Sequence, residues 1–228
     1  MNVKKILSYG MLLVLIPAVI VIAFVAFGAS SFVPVSIAVA LISVCAFIVR
    51  FEREKSDIRV VVIITVMAAM AILGRVVFSP FPGIKPVSAI IILCAVYMGS
   101  EAGFLTGALT AAVSNFYFGH GPWTVLQMFV WGLIGFIAGA LSKPLSKSRV
   151  LLCVYGFVSG AVFSLFMDVW TVLWMSGDAA YEGYGKTVLY AFGFTALYSV
   201  SNAVFLLILN KPVGGTLKRL KIKYGIEI

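Results

Sequence analysis

Apolar runs of about 20 residues, each long enough to cross a bilayer core of about 30 Å, recur along the whole chain. Eight can be delimited, at 6–27, 32–49, 60–78, 86–99, 102–118, 122–141, 150–176 and 187–209. Inside hydrocarbon every backbone N–H and C=O has to be bonded within its own segment, so such runs fold as helices. Hydrophobic residues make up 62% of the 228 and charged residues 11%, which leaves no stretch for a soluble domain. The expected fold is all-α: a polytopic integral membrane protein of about eight transmembrane helices.

A net charge of +9 would suit nucleic acid on a soluble protein, but its placement here is a topology signal. With the N-terminus in the cytoplasm, Lys4, Lys5, Arg50, Arg53, Lys55, Arg59, Lys143, Lys147, Arg149, Lys211, Lys218, Arg219, Lys221 and Lys223 all fall inside. Only Arg75, Lys85 and Lys186 remain outside. The positive-inside rule is then satisfied with both termini cytoplasmic. No nucleic-acid partner is implied, and the basic tail faces membrane lipid. The first apolar run is longer than the 7–15 residues of a signal-peptide core, so it is read as a retained helix.

Three divisions follow. Residues 1–58 form a two-helix hairpin and a charged cytoplasmic linker, residues 59–210 a six-helix core, and residues 211–228 a basic cytoplasmic tail. The hairpin carries no polar group suited to chemistry, and FEREKSDIR at 51–59 marks the boundary.

Within the core, the stretch from Glu101 to Leu141 reads as two helices joined by an aromatic turn, Phe116 to Trp123. Gly103, Gly107 and Ala111 on the first helix, and Gly135 and Gly139 on the second, are spaced four apart. Such rows let membrane helices meet backbone to backbone. Extended toward the turn, they reach Asn115 on one helix and Gln127, through Trp131, on the other. A third row, Gly156, Gly160 and Ser164, leads to Asp168. An unpaired amide or carboxylate in hydrocarbon costs several kcal/mol, so Asn115, Gln127 and Asp168 are expected to face protein and to line one outward pocket. Tyr117, His120, Trp123 and Trp131 would supply its aromatic wall. Arg75, three residues from the outer end of its helix, is either a snorkelling cation or a donor at the mouth. The proline-stiffened loop 79–86 exposes Phe81 as the tip of a lid or connector. Tyr190 is the residue of the last helix nearest the mouth, and the outer loop 176–186, with Asp178, Tyr181, Glu182 and Tyr184, either completes the pocket or is only hydrated.

The chain holds no Walker A sequence, no HExxH and no GxSxG, so neither self-powered ATP-driven transport nor a standard hydrolase fits. A lone histidine and three scattered cysteines, Cys45, Cys94 and Cys153, offer no metal set and no disulfide spacing. No catalytic residues, cofactor or metal are assigned.

The proline-rich outer loop, the six core helices and the run IKPVSAIIILCAVYMGSEAGFLTGALTAAVSNFYFGHGPWTVLQMFVWGLIGFIAGAL resemble the substrate-binding S-component of energy-coupling factor (ECF) type vitamin importers, over about residues 59–210. The Gly-Pro-Trp-Thr-x-x-Gln-Met turn is most similar to the cobalamin-type branch. The resemblance implies a non-enzymatic, multi-pass subunit of a bacterial or archaeal cytoplasmic membrane that captures a vitamin at the outer face. It also implies partners, a transmembrane coupling protein and two ATPase subunits, docked on the first core helix. Thr65-x-x-x-Ala69, with Ala68 between, is the nearest match to the docking pattern of small residues four apart. Two rivals remain at this point: a secondary transporter with Asp168 as its proton-linked group, and an intramembrane enzyme.

Overall fold

The computed structural model describes residues 3–27, 32–51, 58–121, 123–175 and 180–225. Residues 52–57 of the charged linker, Pro122 and residues 176–179 lie outside the described residues. So do the side chains of Lys4, Lys5, Trp174, Tyr181, Glu182 and Tyr184. Among the described residues there is no strand. Helices α1 (Val3–Gly10) and α2 (Ile16–Phe27) are joined by a π-helical turn at Met11–Leu15. Then come α3 (Phe32–Phe51), α4 (Ile58–Val77), α5 (Val87–Met98), α6 (Ser100–Phe118), α7 (Trp123–Ala140), the short α8 (Ser142–Lys147), α9 (Arg149–Met175) and α10 (Ala180–Leu209). A second π-helical turn, Asn210–Gly214, carries α10 into α11 (Gly215–Lys223). Each wide turn adjoins a proline, Pro17 or Pro212, whose missing N–H and bulky ring disturb the regular ladder.

The protein is an integral membrane protein. Among the described residues, five stretches are long and apolar enough to cross a bilayer, at Ile6–Ala23, Ile58–Val77, Trp123–Ala140, Arg149–Asp168 and Gly185–Lys223. Helix α5 is apolar but only 12 residues long, about 18 Å at 1.5 Å per residue. It sits in the centre of the bundle, with almost every residue buried. Helix α6 dilutes its apolar run with Thr106, Thr110, Ser114 and Asn115, all buried. Thr106 and Thr110 return their hydroxyls to carbonyls four residues back, each at 2.7 Å. A polar helix of this kind is tolerated in a membrane because protein, not lipid, surrounds it.

The packing follows the glycines. A Cβ on Gly107 would lie 2.5 Å from the Trp131 carbonyl carbon, and one on Gly103 would lie 2.7 Å from the Gly135 carbonyl oxygen. Gly139 faces the backbone of Ser100 in the same way. Helices α6 and α7 therefore touch main chain to main chain, as the spacing of small residues predicts. Helices α9 and α10 share a second seam, where a Cβ on Gly160 would lie 2.6 Å from Ser199 Cα. The N-terminal hairpin lies on the first pair: α3 packs on α6 and α7, and Tyr9 meets Phe136 edge-on at 4.7 Å.

The connections are short. Gly99, at φ 100°, alone separates α5 from α6, in a conformation that only glycine adopts without strain. The loop 79–86 is a chain of turns, with Phe81 N–H donating to the Phe78 carbonyl and Ile84 N–H to the Phe81 carbonyl, both at 3.1 Å. Its far end is fastened to α10, where Lys85 N–H donates to Ser201 Oγ at 3.2 Å. Phe78 meets Phe205 edge-on at 5.1 Å beside it.

Candidate functional site

Arg75, on the last turn of α4, is only 7% exposed. It does not snorkel to the surface. Its guanidinium turns into the bundle, and Nη1 donates to Asn115 Oδ1 at 2.7 Å and to Ser114 Oγ. The plane lies over the Phe118 ring at 4.5 Å and the Trp131 ring at 5.2 Å, whose faces are negative and offset part of the lost hydration. Lys85 approaches the same ring, with Nζ 5.9 Å from the Phe118 centroid. Burial, and then the nearby Arg75 charge, hold the Lys85 ammonium below the usual lysine range. Among the described residues no carboxylate pairs with either cation.

Asn115 joins three elements. Its Oδ1 accepts from Arg75 on α4, while its Nδ2 donates to Thr124 Oγ1 at 2.7 Å and to Gln127 Oε1 at 2.8 Å on α7. Thr124 Oγ1 in turn accepts the Gly121 N–H at 3.2 Å, and Thr124 N–H returns to the Gly121 carbonyl at 2.9 Å. Gly121 and Thr124 are thus tied to each other at the start of α7, and the Thr124 hydroxyl is also a rung of the polar cluster. Asn115 is fully buried, so it organises the site rather than meeting a ligand. Its donation to Oε1 sets the orientation of the Gln127 amide, whose NH₂ is left to face away from Asn115. Both hydrogen bonds of Arg75 use Nη1, so Nε and Nη2 are likewise not engaged by Ser114 or Asn115. The Gln127 NH₂ and the remaining guanidinium N–H groups are the donors that Asn115 and Ser114 leave over.

An aromatic layer underlies this cluster. Trp131 stacks on Phe163 at 4.8 Å with an interplanar angle of 10°. Phe163 leans on Tyr198 at 5.4 Å, and the Tyr198 hydroxyl shares a 2.9 Å hydrogen bond with Ser88. Trp131 is 2% exposed and closes the floor of the site.

The remaining sequence candidates are distributed less tightly. The Trp123 ring covers Gly121. His120 stacks on Phe116 at 5.5 Å, and Tyr117 meets Phe118 edge-on at 4.9 Å while remaining exposed. Phe81 is exposed, 6.4 Å from Phe78. Asp168 is 9% exposed, and its Oδ2 is buried with no hydrogen-bond partner among the described residues. No hydrogen bond joins Asp168 Oδ2 to the Asn115–Gln127 pair among the described residues. Tyr190 departs from expectation: it is 87% exposed, whereas Tyr198 is 2% exposed. Eight residues of a helix with 3.6 per turn accumulate about 80° of rotation, which carries Tyr190 off the buried face. Ala68 departs too. It is 5% exposed and faces the core, while Thr65 and Ala69 are the exposed members of the docking set.

Sequence reasoning missed Ser114, Phe118, Thr124 and Lys85. Lys85 and Phe118 converge only through the tertiary fold. Among the described residues no group of three His, Cys, Asp or Glu side chains could hold a metal.

The chain matches no curated protein and no solved structure. It does match the family described as ECF-type riboflavin transporter, S component, over residues 55–219, well over half of the 228. The cobalamin-type branch suggested by the Gly-Pro-Trp-Thr-x-x-Gln-Met turn is not the one matched. Of that turn, Thr124 and Gln127 are accounted for by their bonds to Asn115, which are not tied to one vitamin. The match begins after the N-terminal helix pair and takes in every residue of the polar cluster, from Arg75 to Gln127. A buried arginine held by an α6 asparagine above an aromatic floor is thus a feature of the matched region, and the chain belongs to the ECF-type riboflavin transporter S-component family.

Proposed function

We propose that the chain captures a vitamin at its aromatic end and passes it inward with a separate energy-coupling module. In this reading the aromatic end is the outer face of a bacterial or archaeal cytoplasmic membrane, and both termini are cytoplasmic. The ligand lies against Phe118, with its acceptor atoms on Arg75, Gln127 and Lys85. The carrying observation is that Asn115 holds Gln127 by its oxygen and Arg75 by one nitrogen, which turns the Gln127 NH₂ and the rest of the guanidinium to other partners as donors. Such a site selects a flat, acceptor-rich molecule. Riboflavin, the vitamin in the matched family's description, has ring carbonyls and a stacking face of that kind and is the first ligand to test. Cobalamin, with its amide carbonyls, is the second.

Residues 1–58 act as an appended hairpin on a six-helix core at 59–210. Docking of a transmembrane coupling protein is placed on α4. Thr65 and Ala69 are exposed there, beside an apolar groove of about 550 Å³ between α4 and α11 that includes Val62, Val66 and Leu220. The coupling protein and two ATPases complete the importer.

The decisive experiment is a thermal-shift titration of the purified chain against a vitamin panel, followed by uptake in vesicles with and without the coupling module. A ligand at 100 times its dissociation constant adds about 2.7 kcal/mol to stability. Binding without the module, and uptake only with it, is the expected pair of results. Uptake by the chain alone, driven by a proton gradient and lost in Asp168→Asn, would replace this reading with secondary transport. The buried, unpartnered Asp168 Oδ2 is the observation that keeps that second reading specific.

A further inference from the structure

The basic end of the bundle carries a cleft of its own, remote from Arg75. It occupies about 540 Å³ between the end of α5, the short α8 and α11. Lys143 and Lys147 reach it from α8, Lys218 and Lys221 from α11, and the Ser142 hydroxyl adds a further donor. No carboxylate lines it among the described residues.

These lysines are not a loose tail. Leu145, between Lys143 and Lys147, is 2% exposed, and Leu217, next to Lys218, is 3% exposed. Each buried leucine fixes its helix on the bundle and so fixes the ammonium groups that flank it. Four like charges held around one cavity repel each other unless an anion sits among them. The inner wall is apolar, formed by Val96 and Ile222 beside the Tyr97 ring. A small hydrated anion has no use for such a wall, whereas a headgroup that continues into acyl chain does.

We infer that this cleft binds the phosphate of an anionic membrane lipid, with Lys143, Lys147, Lys218 and Lys221 around the phosphate and the glycerol and first acyl carbons on Val96 and Tyr97. Basic pockets at the interfacial ends of transmembrane helices suit headgroups of this class. Inorganic phosphate shares the head chemistry but not the apolar part. The inference is independent of which vitamin the opposite end takes.

The test is thermal unfolding of the full chain in a neutral detergent with added dioctanoyl phosphatidylglycerol, dioctanoyl phosphatidylcholine or inorganic phosphate. Phosphatidylglycerol should raise the midpoint saturably, and the other two should not at matched concentration. Lys143→Gln/Lys218→Gln/Lys221→Gln should raise the half-saturating concentration at least about tenfold, while Arg149→Gln/Lys211→Gln, outside the cleft, should leave it unchanged. Should the triple variant fail to fold, Lys221→Gln alone is scored by native mass spectrometry as loss of bound phosphatidylglycerol. Three results overturn the inference: no response to phosphatidylglycerol, an equal response in the cleft variants, or a matching response to inorganic phosphate, which would assign a soluble anion instead.

Discussion

Arg75 Nη1 and Asn115 Oδ1 are 2.7 Å apart, and this bond orients everything above the aromatic floor. With its oxygen taken, Asn115 has only its NH₂ to give to α7, and it gives both hydrogens, to Thr124 and Gln127. Asn115→Ala should therefore disorder Arg75 and Gln127 together. A loss of about 1–3 kcal/mol in ligand affinity is expected, the cost of leaving buried partners unsatisfied, along with a lower unfolding midpoint. Gln127→Ala, at a half-buried position, should lose affinity with little change in the midpoint. Calorimetric titration of both variants distinguishes organiser from ligand contact, and native affinity in both would place the binding site elsewhere.

Two glycines offer a matched pair of substitutions. Gly107→Ala puts a methyl 2.5 Å from the Trp131 carbonyl carbon, and the helices have to separate, at a cost of about 1–3 kcal/mol for an overpacked contact. Gly193→Ala meets nothing within 4 Å and should stabilise α10 by up to about 1 kcal/mol through helix propensity. Opposite shifts of the unfolding midpoint are the expected outcome, and equal shifts would mean the α6–α7 seam has slack.

The loop 79–86 is tied down by its own turns and by one bond, Lys85 N–H to Ser201 Oγ. An environment-sensitive fluorophore at position 81 should respond to saturating ligand. In Ser201→Ala it should be more mobile before ligand is added. A fluorophore that reports the same surroundings in all states would leave the loop a plain connector.

Lys85 gives a pH signature. Its pKa is lowered in the folded protein by burial and then by Arg75, so the unfolded chain binds its proton more tightly. Stability should rise with pH from the lowered value up to the ordinary lysine value of about 10.4, because the unfolded state holds more protons across that window. The slope should be smaller in Lys85→Gln. Unfolding midpoints measured across the alkaline range check both the sign and the difference.

Helix identity was legible because membrane segments have to be both apolar and long. The α6–α7 seam was legible because only glycine permits main-chain contact at Gly103, Gly107 and Gly135. Asn115 and Gln127 could be paired from their rows, since both rows end at the same turn. Arg75 stayed ambiguous because a cation near a helix end can point to water or to protein. Its inward turn depends on Ser114, Phe118 and Asn115, residues about 40 positions away. Tyr190 lies off the buried face because a four-residue spacing precesses around the helix, and two steps are enough to turn it there.

The glycine seams have a mechanical consequence. Main chain against main chain, as at Gly103 and Gly135 or Gly160 and Ser199, leaves no side chain to rearrange, so neither pair can slide without breaking contact. The α6–α7 and α9–α10 pairs behave as two stiff plates. Between them lie rings that can tilt, Trp131 on Phe163 and Phe163 on Tyr198. On the proposed reading, opening for a ligand would change the angle between the plates, and the helices within each plate would travel together.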